Sequence, residues 1–265
     1  MPAPAQSPKP SRLDVPYVPT SQATVEAMLR VANVGAKDYV IDLGSGDGRI
    51  LITAARRYGA RGFGVDLNPE RVKESIENAR AAGVSDRVRF VQQNLYHTPI
   101  AEATVLTMYL LPRVNLELRP RLLAELKPGT RVVSHDFDMG DWQPDLHVSV
   151  RGSGSIVLLW IIPARVAGRW RVQGGLPDVE SFEIVLTQKY QELEATARGL
   201  GRPATVREPR IEGSRIAFML VDDADFAHRV LFEGTVGSNM MEGTARGDGT
   251  APGGERKWRA HRAAP

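Results

Sequence analysis

Residues 38–50 read DYVIDLGSGDGRI, and this stretch constrains the fold more than any other part of the chain. Its apolar run at 39–41 is typical of a buried parallel strand. Glycines at 44, 46 and 48 follow, and the apolar periodicity of Arg49–Tyr58 then predicts a helix. Glycine adopts backbone angles closed to other residues and lets a ligand lie against the main chain. The pattern therefore predicts a strand, a ligand-binding loop and a helix whose first N–H groups are free.

Acidic residues distinguish this loop from one that binds a dinucleotide. Asp42 ends the strand and Asp47 lies inside the loop, and two carboxylates there would repel a pyrophosphate. They suit a ligand that carries an ammonium or sulfonium charge, and S-adenosylmethionine carries both. Asp66 ends the next apolar run, where a carboxylate can accept hydrogen bonds from both ribose hydroxyls. The combination predicts an S-adenosylmethionine site.

The segments VIDLGSGDG (40–48) and GVDLNP (64–69) resemble the first two motifs of the class I S-adenosylmethionine-dependent methyltransferases. Over residues 15–142, the chain more closely resembles bacterial relatives of two mitochondrial lysine methyltransferases. These act on ATP synthase subunit c and on the adenine nucleotide translocase. The closer resemblance rests on VPYVPT (15–20), the glycine loop, NLY (94–96) and SHDFDMGDW (134–142), and it covers about half of the chain.

This resemblance implies a set of cofactor contacts. In the family, segment 15–20 folds over the cofactor, and the residue at position 94 is usually an aspartate that bonds the adenine amino group. Asn94 departs from that pattern, although its amide oxygen can still accept the bond. The predicted cofactor-binding residues are Tyr17, Thr20, Asp42, Gly44, Ser45, Gly46, Asp66, Leu67, Asn94 and Leu95.

The predicted fold class is α/β, a Rossmann-like methyltransferase domain of seven strands followed by a smaller antiparallel β domain. The family implies the strand order 3-2-1-4-5-7-6. We expect the fifth strand at 131–137, no helix after it, and a closing hairpin at 146–150 and 155–163. From about residue 164, short alternating segments divided by Gly, Pro, Asn and Asp predict a sandwich or small barrel of seven or eight strands. The predicted domains are a flexible tail (1–14), the methyltransferase domain (15–165) and the β domain (166–265).

The carboxyl edge of this sheet is where a methyl acceptor is expected to bind. Tyr109 follows the fourth strand, and the cluster His135, Asp136, Asp138, Asp141 and Trp142 follows the fifth. Carboxylates there could attract a lysine ammonium, an aromatic wall could stack on it, and His135 or water could take its proton. The predicted catalytic residues are Tyr109, His135, Asp136, Asp138 and Trp142. The alternative is that the acids cap a turn and the tryptophan only packs.

Metal binding is disfavoured, because His135 and Asp136 as neighbours on a strand would point to opposite faces. The chain contains no cysteine, so disulfides and thiolate chemistry are excluded. Its net charge of +3 is small, and we expect no nucleic-acid partner. It has no apolar run near the roughly 20 residues of a membrane span. We expect the enzyme to act in the cytoplasm, because S-adenosylmethionine is made there. The alternative that an export signal has been trimmed stays open.

The predicted function is methyl transfer from S-adenosylmethionine to an amine such as a protein lysine. Two alternatives stay open. One is methylation of a small molecule, with the β domain as a lid or dimer contact. The other is a cofactor-binding protein without catalysis, which the departure at Asn94 mildly favours. The acceptor and the oligomeric state do not follow from the sequence.

Overall fold

The structure, a computed structural model, describes residues 18–247 and 254–263. The predicted flexible tail, residues 1–14, lies outside these ranges. The described chain forms two compact units. The first extends to Trp160, and the second begins at Ile161 and also takes in segment 125–131. The domain limit at residue 165 remains a prediction that a truncation series could test.

The first unit contains four helices and seven strands, as the sequence predicted. In chain order they are α1 (Gln22–Val31), β1 (Tyr39–Leu43), α2 (Arg49–Tyr58), β2 (Arg61–Asp66), α3 (Pro69–Ala81), β3 (Val88–Gln92), β4 (Val105–Met108), α4 (Pro112–Glu125), β5 (Arg131–His135), β6 (Leu146–Ser149) and β7 (Ile156–Ile161). The sheet order is β3-β2-β1-β4-β5-β7-β6, which confirms the predicted Rossmann-like topology.

The apolar run at the start of the glycine motif forms the central strand of this sheet. Strand β1 pairs in parallel with β2 on one side and β4 on the other, and four of its five residues are buried. Strand β3 continues the parallel set beyond β2. Because parallel strands end at one edge, the residues that end or follow β1, β2, β3 and β4 meet there.

The helices of this unit begin where the sequence supplies caps. The Ser21 side chain accepts a hydrogen bond from the Thr24 N–H at the start of α1. Asn68 caps α3 in the same way, with Pro69 in its first turn. Gly48 stands at the N-cap of α2 with φ of 81°, in the left-handed region that glycine enters without strain. Helices α2 and α3 therefore begin within a few residues of the carboxyl edge of the sheet, α2 at Gly48 without a side-chain cap and α3 at Asn68 with one.

The chain leaves the fifth strand earlier than predicted. Strand β5 ends at His135, and Asp136 has a φ of 61°, so the expected strand geometry through Phe137 is wrong. No helix forms in residues 136–145, and β6 and β7 pair antiparallel as predicted. The turn at Asp136 removes the basis for placing Asp136 and Asp138 on the same side of a strand.

The second unit is a closed antiparallel barrel of eight strands, which decides between the two architectures that the sequence allowed. Its strands are β8 (Gly168–Gly174), β9 (Ser181–Lys189), β10 (Glu192–Arg198), β11 (Ala204–Glu212), β12 (Arg215–Asp222), β13 (Arg229–Val236), β14 (Met240–Gly247) and β15 (Arg256–Arg262). Pairing of β15 with β8 closes the barrel. Its hydrophobic core combines aliphatic and aromatic side chains, and the rings of Phe218 and Phe232 are stacked 4.8 Å apart.

No helix within the described ranges is both long and apolar enough to cross a membrane.

Candidate functional site

A pocket opens at the carboxyl edge of β1, β2, β3 and β4, within the first unit. It brings together residues that are up to 96 positions apart in the sequence. Nine of the ten predicted cofactor-binding residues line it: Thr20, Asp42, Gly44, Ser45, Gly46, Asp66, Leu67, Asn94 and Leu95. The tenth, Tyr17, lies outside the described residues. Of the predicted catalytic residues, Tyr109 lines the same pocket.

The glycine loop takes its shape from three left-handed residues. Gly44, Gly46 and Gly48 have φ values of 81°, 52° and 81°. The N–H groups of Gly44 and Ser45 both donate to the Val65 carbonyl oxygen, at 2.9 and 2.8 Å, which fixes the loop against the end of β2. A Cβ atom at Gly44 would lie 3.0 Å from Leu110, so a side chain there would crowd the pocket wall. The loop leaves bare backbone facing the ligand space.

Asp42 is a buried acid whose charge is only half satisfied. It is 2% exposed, and its Oδ1 accepts a hydrogen bond from the Thr107 hydroxyl at 2.7 Å. Its Oδ2 is buried without a hydrogen-bond partner among the described residues. Burial raises the pKa of Asp42 to about 7; the Thr107 hydrogen bond opposes this, and the charges of Asp66 and Asp47 add to it. An orphaned carboxylate oxygen in a ligand pocket indicates a cationic ligand.

Asp66 ties the end of β2 to the glycine loop. Its Oδ2 accepts from the Gly46 N–H at 3.0 Å, and its Oδ1 accepts from the Asn68 N–H at 2.8 Å. Each carboxylate oxygen has further acceptor capacity, so the predicted bonds to ribose hydroxyls remain available. Asp66 therefore shapes the loop as well as offering a charged acceptor to the ligand.

We expect Asp66→Ala to weaken cofactor binding by about 1.5 to 3 kcal/mol, because hydrogen bonds to a charged acceptor are lost. Loss of the bond from the Gly46 N–H would loosen the loop in addition. Calorimetric titration with S-adenosylhomocysteine measures the change, and Asp86→Ala, which removes an acid that is 75% exposed, is the control. Unchanged affinity in Asp66→Ala would contradict the prediction.

Asp47 does not act as a free negative charge in the loop. Its carboxylate pairs with the Arg49 guanidinium, with Nε at 2.9 Å from Oδ1 and Nη2 at 2.5 Å from Oδ2. Arg49 Nη1 also donates to the Thr20 carbonyl oxygen at 2.7 Å. The expectation that Asp47 attracts a cation directly is therefore wrong, because Arg49 neutralises it. The cation preference of the pocket rests on Asp42 and Asp66.

The far end of the pocket is formed by the loop after β3. The Asn94 side chain caps a short 3₁₀ turn by accepting from the Tyr96 N–H at 2.9 Å, which leaves a second lone pair on its amide oxygen. Arg121 of α4 donates to the carbonyl oxygens of Leu95, Tyr96 and Thr98, at 3.3, 2.5 and 2.9 Å. Arg121 thereby holds the loop that the sequence assigned to the adenine ring.

Tyr109 directly follows β4 and connects the pocket to the end of β5. Its ring centroid lies 3.8 Å from that of His135 and 6.0 Å from that of Phe137, with which it is stacked. Burial, and secondly the charge of Asp136, raise the pKa of the Tyr109 phenol. The phenol therefore stays neutral near pH 7 and presents an aromatic face and a hydroxyl group.

His135 is close to Tyr109 but does not line the pocket. It is 4% exposed, and its two ring nitrogens contact the Thr20 hydroxyl at 3.1 Å and the Ser155 hydroxyl at 2.9 Å. Burial lowers the pKa of His135, against the opposing effect of Asp136, so the ring is neutral near pH 7. The role predicted for His135 as a proton acceptor is disfavoured, because one nitrogen already contacts Thr20 at the pocket wall and the other contacts Ser155.

The other residues of the cluster after β5 separate into different environments. Asp136 is half-buried, and its Oδ1 accepts from the Ile156 N–H at 2.8 Å. Asp138 is exposed and caps a turn by accepting from the Gly140 N–H. Asp141 pairs with Arg119 at 2.6 Å. The prediction of Trp142 as an aromatic wall is wrong, since its side chain is completely buried against Trp160.

Within the described residues no group of three or more potential ligands is arranged to hold a metal ion. The expected geometry of His135 and Asp136 was nevertheless incorrect. The two side chains were expected to point to opposite faces, whereas His135 Nε2 lies 3.4 Å from Asp136 Oδ2. The left-handed backbone at Asp136 turns the carboxylate back toward the imidazole.

Several residues of the site were not identified from the sequence. Arg49, Thr107, Arg121 and Ser155 act through hydrogen bonds to residues 20 to 65 positions away. For Arg49, its place beside Asp47 was the available signal, because an arginine two residues after an acid can pair with it. The other three carry no local signal, since their partners are brought near only by the fold.

The residues present fit S-adenosylmethionine. The unpartnered Asp42 oxygen suits a positive charge, Asp66 offers a carboxylate at the end of β2, and the glycine loop gives room beside them. Asn94 and the backbone held by Arg121 line the remaining end of the pocket. The site therefore has the donor and acceptor set that the predicted cofactor requires.

Comparison with known proteins identifies related methyltransferases. A sequence model of the ANTKMT methyltransferase domain matches residues 42–146. A protein-lysine N-methyltransferase of Saccharolobus islandicus is 50% identical over 131 residues, which are 49% of this chain and 81% of that protein. The adenine nucleotide translocase lysine N-methyltransferase of Mus musculus is 39% identical over 147 residues, which are 55% of this chain and 62% of that protein.

A solved structure gives the same result for the fold. The crystal structure of an RNA methyltransferase from Salinibacter ruber, in complex with S-adenosyl-L-homocysteine, is 52% identical to the present chain with a TM-score of 0.55. The alignment covers 56% of this chain and 96% of that one. The chain belongs to the family of the Saccharolobus islandicus protein-lysine N-methyltransferase, and it is a methyltransferase that uses S-adenosylmethionine.

Proposed function

We propose that the methyl acceptor is the side-chain amine of a protein lysine. The observation that carries this proposal is the position of Tyr109. It lines the cofactor pocket and stacks on Phe137, and the charge of Asp136 contributes to raising the pKa of its phenol. An aromatic face beside a carboxylate attracts a cationic amine. The names of the relatives from Saccharolobus islandicus and Mus musculus, both lysine methyltransferases, support the same acceptor.

Bound S-adenosylmethionine supplies a methyl group on a sulfonium, which an amine displaces in line. The protein has to hold the amine in line with the methyl group, and the amine must be unprotonated when it attacks. We assign the positioning of the acceptor amine to the Tyr109 ring and the charge of Asp136, which together attract the ammonium form of the amine. The lysine then loses a proton to water, and its nitrogen lone pair forms the new bond to carbon as the carbon–sulfur bond breaks.

His135 is not part of this proton transfer. Both of its nitrogens are hydrogen bonded to hydroxyl groups, and the ring does not line the pocket. Tyr109 is not a base either, because its raised pKa keeps the phenol protonated near pH 7. Water is therefore the proton acceptor in this proposal, and methylation should become faster as pH rises and more lysine is neutral.

The test is label transfer from radiolabelled S-adenosylmethionine to a cell extract, with samples divided before digestion. One part is treated with protease, one with nuclease, and one is filtered to separate small molecules. We expect the label in protein, released by protease, and methyl-lysine on mass spectrometry of the labelled band. Label that nuclease releases would instead indicate RNA, the acceptor for which the Salinibacter ruber relative is named. Label only in the filtrate would indicate a small amine.

We expect Asp136→Asn to slow methyl transfer about tenfold while cofactor affinity stays within a few tenths of a kcal/mol. The asparagine keeps an oxygen for the Ile156 N–H and removes only the charge beside Tyr109. Asp138→Asn should have a smaller effect in the same direction, because its carboxylate is exposed and caps a turn. Transfer rates and calorimetry on both variants, with Asp86→Asn as the control, separate the two effects. Parent rates in both would contradict an acidic acceptor site.

We propose the cytoplasm as the place of action, since S-adenosylmethionine is made there.

A further inference from the structure

The backbone at residues 18–20, which we call the strap, runs along the rim of the cofactor pocket. Thr20 fixes the strap from two sides. Its carbonyl oxygen accepts from Arg49 Nη1 at 2.7 Å, on the side of the glycine loop. Its hydroxyl contacts His135 Nδ1 at 3.1 Å, on the side of β5. Thr20 is 4% exposed and its contact with His135 is buried, so this bond is shielded from water.

His135 connects Thr20 to Tyr109, the residue proposed to contact the methyl acceptor. Its ring lies 3.8 Å from the Tyr109 ring, tilted by 33°. The second ring nitrogen contacts the Ser155 hydroxyl at 2.9 Å, so the imidazole is held at both ends and cannot turn without breaking a bond. A ring held in this way fixes the face on which Tyr109 packs.

Asp136 is the charged group that competes for the same imidazole. Its Oδ2 lies 3.4 Å from His135 Nε2, beyond the 2.9 Å of the Ser155 contact. If the bond from Thr20 is lost, the ring can move toward Ser155 and Asp136, and Tyr109 loses its support. The orientation of Tyr109 therefore depends on where the strap lies.

We infer that His135 is a positioning residue through which Thr20 of the strap sets Tyr109 for the methyl acceptor. Thr20 is the contact from the strap to His135, and Ser155 holds the far side of the ring. This inference rests on the proposed role of Tyr109 on the acceptor side, but it does not depend on the acceptor being a lysine.

The test uses the full chain with Thr20→Val, which keeps the shape of threonine and removes the hydroxyl. Transfer of label to cell extract is measured at a cofactor concentration that saturates each variant. We expect transfer by Thr20→Val to fall about tenfold and Thr20→Ser, which restores the hydroxyl, to stay within about twofold of the parent. Thr53→Val is the matched control, because Thr53 is also a buried threonine, and its hydroxyl accepts from Gln22 instead.

A second readout reports on the imidazole itself. The chain has five histidines, so ¹⁵N spectra of labelled histidine are simple enough to assign, with His135→Phe identifying the signals of His135. In the parent, S-adenosylhomocysteine should shift the His135 signals even though His135 does not line the pocket. In Thr20→Val that response should be lost.

His135→Phe tests the relay directly, because phenylalanine retains a ring against Tyr109 and removes both nitrogens. We expect transfer to fall about tenfold while the cofactor dissociation constant stays within about threefold of the parent. Thermal melts establish that each variant is folded. The inference is overturned if Thr20→Val regains the parent rate once cofactor saturates, or if His135→Phe transfers at the parent rate. Label in RNA or small molecules would overturn the lysine proposal alone, because the ratios between variants would be unchanged.

Discussion

Gly46→Val should abolish measurable cofactor binding, a loss of at least about 100-fold or roughly 2.7 kcal/mol. Gly46 is buried in the glycine loop with a φ of 52°, and its N–H donates to Asp66. A β-branched residue in the left-handed region is strained by about 1 to 2 kcal/mol. Its two methyl groups would also occupy space in a pocket that Gly46 lines. The strain lowers the stability of the folded protein, whereas the filled space opposes binding of the cofactor.

The control has to separate backbone strain from filling of the pocket. Gly83→Val provides this, since Gly83 has a φ of 69°, a Cβ atom there would meet only open space, and it does not line the pocket. We expect a lower melting temperature in both variants and a loss of S-adenosylhomocysteine binding only in Gly46→Val. Calorimetric titration measures the affinity. Retained binding in Gly46→Val would mean that the cofactor does not approach this loop.

The cofactor half of the site followed from the sequence because local backbone rules determine it. Gly44, Gly46 and Gly48 are needed for their left-handed angles, and Asp42 and Asp66 stand at the ends of neighbouring parallel strands. Strand ends in a parallel sheet meet at one edge whatever the rest of the chain does. The spacing of the glycines and the two acids was therefore enough to predict that they lie together, and the resemblance to known methyltransferases supplied the strand order.

The acceptor half was predicted less well because its geometry depends on a single backbone angle. Strand geometry was extended from His135 to Phe137, but Asp136 turns into the left-handed region and ends the strand. An aspartate enters that region more readily than most residues, although nothing in the local sequence requires it. Trp142 shows the same limit, since no periodicity in a loop tells which way an indole ring faces. Its burial against Trp160 is decided by packing between β7 and the loop.

Asp47 and Arg49 show how a correct motif can carry a wrong assignment. The motif placed an acid in the loop, but the charge of that acid is neutralised by the arginine two residues later. Arg49 in turn reaches Thr20, a contact across 29 positions that no local pattern predicts. The preference of the pocket for a cation therefore rests mainly on Asp42, its most deeply buried acid. Protonation of Asp42 should consequently change the affinity for the cofactor as the pH changes.

The affinity for S-adenosylmethionine should decrease as the pH falls below about 7. Burial raises the pKa of Asp42 to about 7, so its side chain is protonated below that value in the free protein. A cationic ligand favours the ionised carboxylate, and its binding at low pH has to release the proton. Affinity should fall by up to about tenfold per pH unit below 7. Calorimetry between pH 5.5 and 8.5, in buffers of different ionisation enthalpy, measures both affinity and proton release.

Asp42→Asn should bind S-adenosylmethionine more weakly and without this pH dependence. The control is Glu70→Gln, which changes an exposed acid of α3 and should behave like the parent.

The pH dependence of folding stability should have the opposite sense. The pKa of Asp42 is higher in the folded protein than in the unfolded chain, where it is about 3.9, so its contribution to stability is present below pH 4 and is lost as the pH rises to 7. Without cofactor, Asp42→Asn should therefore melt at a higher temperature than the parent at pH 8, and the difference should shrink toward pH 4. A parent affinity that does not vary with pH, or an Asp42→Asn variant that melts lower at pH 8, would show that this carboxylate is not the buried, partly unsatisfied group that the cofactor pairs with.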